Sequence, residues 1–329
     1  MELQPDHLYC YEKLDFMKSY AIIGIAGTDA IRKGAQNLWR KEQGMRQKID
    51  AFLTHLIEQK GYSENTLAAY RNDLSQFVSF LSRHVSDWDE VDQRLITDYI
   101  LYMKEREYAS STVARKVAAI KSFFHHLVAV GAVATDPTAT LDSPKVKKRL
   151  PRTISSTEVE RLLAEPARSS TPKAMRDQAL LELLYATGMR VTEAVSLDIG
   201  DVNLPSATVR VKRRKDGKER VLPLSDRAQK ALKRYTQKGR LPLARDPEEK
   251  ALFLNHRGQR LTRQGLWLII KAYVEKADID TEVTPHTLRH SFATHKLKEG
   301  AALHEIQKLL GHANISTTQV YTQISSRDE

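Results

Sequence analysis

Pro144 and Pro151 bracket a basic run in PKVKKRLPR, residues 144–152, where Lys145, Lys147, Lys148, Arg149 and Arg152 stand with no acidic residue among them. Proline lacks a backbone donor and clashes with a preceding helical turn, so neither a continuous helix nor a central strand passes through this stretch. The charges keep it in water. The chain is therefore read as two folded units joined by a basic linker, residues 144–156, and its 329 residues are enough for two ordinary domains. Two domains on a basic tether make a clamp.

On the N-terminal side, residues 45–143 read as a small all-helical domain. The segment RQKIDAFLTHLIEQKG after Met45 repeats Ile49, Phe52, Leu53, Leu56 and Ile57 at helical spacing, with Gly61 as a stop. Ser63 caps a second stripe of Leu67, Tyr70, Leu74, Phe77, Val78 and Leu81. Val113, Val117, Ile120, Phe124 and Leu127 form a third, ended by Gly131. These stripes are assigned to core packing. Residues 1–44 are irregular in pattern and read as an N-terminal extension to which the sequence assigns no role.

Residues 157–329 read as a second domain. In STEVERLLAEP, Ser156 or Thr157 serves as N-cap and Glu160 completes a capping box. Thr187-Gly188 interrupts a helical pattern, and a second helix begins near Arg190 with Glu193 three residues on. The segment ATVRVKRRKDGKERVLPL alternates Val209, Val211 and, past the turn, Val221 and Leu224 around Asp216-Gly217, a hairpin signal whose tip carries Arg213, Arg214, Lys215 and Lys218. In TPHTLRHSFATH, Thr284 caps a helix, Pro285 suits its first position, and His286, Arg289 and His290 share one face. Finally, EIQKLLGHANISTTQVYT stops a helix at Gly311, places His312 in the turn and opens a short helix, capped by Ser316, that carries Tyr321.

The net charge of +11, with a pI near 9.5, makes a polyanion the first partner to consider, and Lys145, Lys147, Lys148 and Arg149 suit a phosphate backbone whose counterions they would release. A single cysteine, Cys10, excludes an internal disulfide framework and a cysteine-based zinc module. The apolar run Ala21 to Ala26 is too short to span a bilayer, so the expectation is a cytoplasmic protein with no membrane contact. His286 and His290 have the spacing of a zinc-protease pair, but the glutamate after the first histidine is missing and Arg289 on the same face would repel a cation. Neither a metal nor any other cofactor is expected. Two arginines, a lysine, histidines and a tyrosine instead suit phosphoryl transfer, which needs charge stabilisation, a nucleophile and a proton donor.

TGMRVTEAVSL, the hairpin lysine, TPHTLRHSFATH, LLGH and STTQVYT resemble, in order and spacing, the motifs of the tyrosine recombinases, and most nearly those of the Xer-type site-specific recombinases. The resemblance covers residues from about 45 to 325. It implies a mainly α fold with a small β-hairpin, built as a C-shaped clamp from an all-helical core-binding domain and a tyrosine-recombinase catalytic domain. Tyr321 would be the nucleophile that attacks a scissile DNA phosphate, giving a 3′-phosphotyrosyl link. Arg190, Arg289 and His312 would hold the phosphate oxygens, and His286 would act as general base or orient the tyrosine. Lys215 would protonate the leaving 5′-oxygen, with Lys218 as its rival because the hairpin is about one residue longer than usual. Glu193 would brace the site, and His290 would support or pack.

The resemblance further implies a homo- or hetero-tetramer on two double-stranded recombination sites, exchange through a Holliday junction, and a possible DNA translocase as activator. The setting would be chromosome dimer resolution or integration and excision of a mobile element. Eight residues follow Tyr321, whereas the family usually has a longer tail that docks in a neighbouring subunit, which implies weaker tetramerisation. The alternatives are a type IB topoisomerase, a catalytically idle DNA-binding protein and, last, a metalloprotease.

Overall fold

The computed structural model describes residues 29–142, 151–212, 219–312 and 314–325, with side chains from residue 42 to residue 324. The chain divides into two compact units, residues 1–147 and 148–329. Among the described residues no helix is long and apolar enough to cross a membrane.

The first unit is built from α1 (Asp29–Lys60), α2 (Glu64–Leu81), α3 (Gln93–Glu105) and α4 (Ser110–Ala129). Contrary to the irregular pattern read for residues 1–44, α1 already begins at Asp29 and runs unbroken through Met45. Its sequence there is dominated by Ala, Arg, Lys, Gln and Glu, residues that lose little on entering a helix. Ile49, Phe52, Leu53 and Leu56 are buried, but Ile57 is 54% exposed and does not belong to the stripe. Ser63 accepts a hydrogen bond from the Thr66 amide at 3.3 Å and so caps α2. Trp88, fully buried, donates its indole N–H to the Met45 carbonyl at 3.0 Å and locks the middle of α1 to the core. Asp73, also fully buried, is held by Lys116 Nζ at 3.0 Å and by Arg115, so the core contains a paired charge.

The second unit comprises α5 (Ser156–Ala164), α6 (Pro172–Thr187), α7 (Val191–Ser196), the strands β1 (Val202–Asn203), β2 (Thr208–Lys212) and β3 (Glu219–Pro223), then α8 (Asp226–Arg234), α9 (Arg263–Lys276), α10 (Pro285–Lys298), α11 (Leu303–Leu310) and α12 (Ser316–Ser325). The capping box of α5 is Ser155 with Glu158, two residues earlier than the Thr157–Glu160 reading: the Ser155 amide donates to Glu158 Oε2 at 2.7 Å. Both spacings satisfy the rule, and Glu160 instead pairs with Arg227.

The three strands form one antiparallel sheet in the order β1-β2-β3, with Val209 opposite Leu222 and Val211 opposite Arg220. That register buries Val209, Val211 and Leu222 and turns Val221 outward, 62% exposed. The hairpin tip with Arg213, Arg214, Lys215 and Lys218, and the linker residues Lys145, Lys147, Lys148 and Arg149, lie outside the described residues.

Gly188 ends α6 at φ +58°, and a Cβ there would meet Phe292 at 2.4 Å and Leu310 at 2.9 Å. Only glycine permits both this left-handed turn and the close approach of α10 and α11, which brings Arg190, at the start of α7, beside them.

Candidate active site

Arg289 lies at the centre of the site, on the second turn of α10, 5% exposed. Its side chain spans the two glycine turns: Nη1 donates to the Gly188 carbonyl at 2.6 Å and Nη2 to the Leu310 carbonyl at 2.7 Å. Nη2 also lies 2.9 Å from His312 Nε2. Burial, and then the nearby Arg190 charge, pull the guanidinium down to about 10, so it stays charged at neutral pH.

Since arginine only donates, His312 Nε2 accepts, which puts the ring proton on Nδ1 and directs it to Thr318 Oγ1 at 2.9 Å. Thr318 is fully buried on α12, so this bond ties the loop histidine to the helix that carries Tyr321. Burial and the charges of Arg289 and Arg190 lower the His312 imidazole to about 4.

Arg190 is 38% exposed, with Nη2 on the Gly311 carbonyl at 3.3 Å and Nη1 on Glu193 Oε1 at 3.2 Å. The Glu193 carboxylate also caps α7, accepting from the Arg190 amide at 2.7 Å. Sequence reasoning missed Arg220. From β3 it grips both Glu193 oxygens at 2.9 Å and donates Nε to the Leu309 carbonyl at 3.0 Å. Burial pushes the Glu193 carboxyl up, but Arg220 and Arg190 more than offset this and hold it below its usual range. The signal was present in Lys218-Glu219-Arg220, where the arginine directly follows the hairpin and, by strand alternation, faces inward opposite Val211.

Tyr321 is 2% exposed and lies between two histidines. Its hydroxyl is 2.9 Å from His290 Nδ1, and its ring stacks on His312 at 6.4 Å between centroids. Burial raises the phenol, and the Arg289 guanidinium opposes that rise. The contact to Tyr321 therefore comes from His290, read from the sequence as a supporting or packing residue, and not from His286. His286, exposed on the otherwise buried first turn of α10, has its ring 6.4 Å from that of His290, whereas one turn later α10 packs against α12. Asn314, not Ser316, closes the turn into α12, accepting from the Ser316 amide at 3.1 Å.

The site thus brings Arg190, Glu193, Arg289, His290, His312 and Tyr321 together with Arg220, and leaves His286 at its rim. Among the described residues no group of three or more His, Cys, Asp or Glu is arranged to hold a metal ion. Two guanidinium groups and a phenol around helix and loop carbonyls can bind a phosphate and present a nucleophile to it.

The Phage integrase family model matches residues 152–327, and the N-terminal SAM-like domain model of phage integrases matches residues 49–131. The tyrosine recombinase XerC of Roseiflexus sp. (strain RS-1) is 52% identical over 284 residues, 85% of this chain and 90% of that protein. The chain belongs to the phage integrase family of tyrosine recombinases. Within this family it is Xer-like: the tyrosine recombinase XerD of Listeria innocua is 43% identical over 285 residues, 85% of this chain and 95% of the relative. Its fold is shared by a XerH site-specific recombinase bound to a palindromic difH substrate, with a TM-score of 0.70 at 21% identity over 89% of this chain and 92% of that one. A lambda integrase dimer bound to a core site gives a TM-score of 0.65 at 17% identity over 84% of this chain and 76% of that one.

Two neutral histidines in the site of this recombinase carry a pH consequence. His290 and His312 both sit near 4 in the fold against an ordinary value of about 6.5. The unfolded chain therefore binds more protons between about pH 4 and 6.5, so stability is full above that window and declines as pH falls through it. Denaturant unfolding at pH 7 and pH 5 is expected to show this decline, and His312→Asn to flatten it. Equal slopes for both proteins would refute the assignment.

Proposed function

We propose that this recombinase cuts and rejoins double-stranded DNA at a specific site through a 3′-phosphotyrosyl intermediate, exchanging strands by way of a Holliday junction. The reading rests on one observation above others: the Tyr321 hydroxyl faces a buried arginine that is itself tied to His312 and backed by Arg190. The scissile phosphate takes its place between Arg190 and Arg289, whose forks match its oxygens. Its negative charge offsets the two guanidinium charges that depress His312, which then gains a proton on Nε2 and donates to the phosphate. His286, exposed on the same helix face, assists as general base or orients the tyrosine. Lys215, or its rival Lys218, protonates the departing 5′-oxygen.

The covalent link conserves the energy of the broken phosphodiester, so a 5′-hydroxyl from a partner duplex reseals it without ATP. Four protomers, from this chain alone or with a paralogue, act on two sites in the cytoplasm, in chromosome dimer resolution or mobile-element exchange, with a DNA translocase as activator. The basic residues Lys145, Lys147, Lys148, Arg149, Arg213 and Arg214 neutralise backbone phosphates.

The test is a nicked duplex carrying a candidate recombination site, incubated with the protein and analysed on a denaturing gel. Wild type is expected to give a covalent adduct, and Tyr321→Phe none at undiminished DNA affinity. An adduct that survives in Tyr321→Phe would remove Tyr321 as nucleophile.

A further inference from the structure

His312 sits in a turn, outside any helix or strand, so its own backbone does not fix which ring nitrogen meets a phosphate. Something else must hold the ring. Resting on the reading of Tyr321 as nucleophile and His312 as a donor to the scissile phosphate, we propose that Thr318 is a positioning residue for cleavage: its hydroxyl accepts the Nδ1 hydrogen of His312 and so fixes the tautomer and ring orientation in which Nε2 faces the phosphate.

Thr318 Oγ1 lies 2.9 Å from His312 Nδ1, and at the other end of the ring Arg289 Nη2 lies 2.9 Å from Nε2. A guanidinium only donates, so Nε2 keeps its lone pair, the ring hydrogen is on Nδ1, and the threonine oxygen is its acceptor. Thr318 is fully buried, where no water replaces a lost acceptor and a β-branched side chain has little rotamer freedom. Thr318 and Tyr321 are three residues apart on α12 and share one face of that helix. The Tyr321 ring stacks on the same imidazole, with 15° between the ring planes. One helix therefore supplies both the nucleophile and the acceptor that orients the histidine.

The charged and titratable groups around His312 are Arg289 and His290 of α10, Arg190 at the start of α7, Arg220 of β3 and Tyr321 of α12. Burial first, and then the guanidinium charges, keep the ring neutral without DNA. When a scissile phosphate offsets those charges, His312 takes one proton from solvent on Nε2 and donates it in a hydrogen bond to a phosphate oxygen. Both ring nitrogens then carry hydrogens, and the bond from Nδ1 becomes charge-assisted. Thr318 is the acceptor in either state, although it touches no reacting atom. Without its oxygen a buried N–H is left unpaired beside three guanidinium groups, which disfavours the imidazolium and frees the ring to turn.

Adduct formation on the nicked duplex is measured from about pH 5.5 to about pH 8.5, the range in which a histidine titrates. Thr318→Val keeps the shape of the side chain and removes the acceptor. It is expected to slow the adduct about 10- to 100-fold at similar DNA affinity, the range of a hydrogen bond to a charged group. The fall in rate with rising pH is expected to begin at lower pH than in wild type, because the imidazolium has lost support. Thr318→Ser, which keeps the oxygen, is expected to restore most of the rate and the wild-type profile. In a His312→Phe background Thr318→Val is expected to add less than about a twofold loss, since the histidine it positions is gone.

A wild-type rate and profile for Thr318→Val would overturn the proposal, as would an equal loss in the His312→Phe background or a loss that Thr318→Ser does not repair. In each of those cases the wild-type adduct leaves the nucleophile reading intact. Absence of an adduct from wild type itself would overturn that reading and this one together.

Discussion

Arg289→Ala is expected to slow covalent-adduct formation by about a thousand-fold, with a much smaller change in DNA affinity. Removing a single preorganised donor from an anion site commonly costs 10²–10³ in rate, and here the lost group also carries a full charge in a water-poor setting. Arg289 is preorganised because both ends of its fork are fixed by carbonyls that end helices: Gly188 after α6, and Leu310 at the end of α11. It therefore does not reorganise when a phosphate arrives. Alanine would also leave those carbonyls without their donor and open a cavity, so part of any loss could reflect a weakened fold. Arg289→Lys separates the two effects. Lysine keeps the charge and most of the volume but offers no planar fork, so it is expected to melt closer to wild type while still losing at least about 100-fold in adduct rate. Rates for both variants within tenfold of wild type would show that Arg289 serves the fold and not the chemistry.

The parts of this molecule that were legible in the sequence are those governed by local rules. The Leu74, Phe77, Val78 and Leu81 stripe and the Thr284-Pro285 helix start depend on neighbours within a turn or two, and they occur as read. The failures involve choices that local rules leave degenerate. Ser155–Glu158 and Thr157–Glu160 both satisfy a capping box, and long-range pairing of Glu160 with Arg227 decides between them. Val221 and Leu222 both fit a strand, and the register with Val209 decides which is buried. In the site, spacing placed His286, Arg289 and His290 on one face but could not tell which histidine meets α12, because that depends on how far along α10 the last helix crosses. Arg220 was missed for the same reason: its partner Glu193 lies 27 residues away, across a sheet and a helix.

Glu193→Ala is expected to destabilise the protein by about 3 kcal/mol at neutral pH, the range seen when one partner is removed from a buried ion pair. The carboxylate is only 9% exposed and accepts from Arg220 twice, from the Arg190 side chain and from the Arg190 amide. Without it, two guanidinium groups face each other and the first turn of α7 loses its cap. Glu193→Gln keeps the shape but not the charge, so an intermediate loss is expected. The carboxyl's pKa is depressed in the fold, so its stabilisation is present above the unfolded value of about 4.3 and is lost as pH falls through the folded one. The gap between wild type and Glu193→Gln should accordingly be constant from pH 8 to about pH 5 and close below about pH 4 in denaturant unfolding. A loss under about 0.5 kcal/mol for Glu193→Ala would mean that Arg190 and Arg220 are held by backbone carbonyls alone, with the carboxylate contributing little.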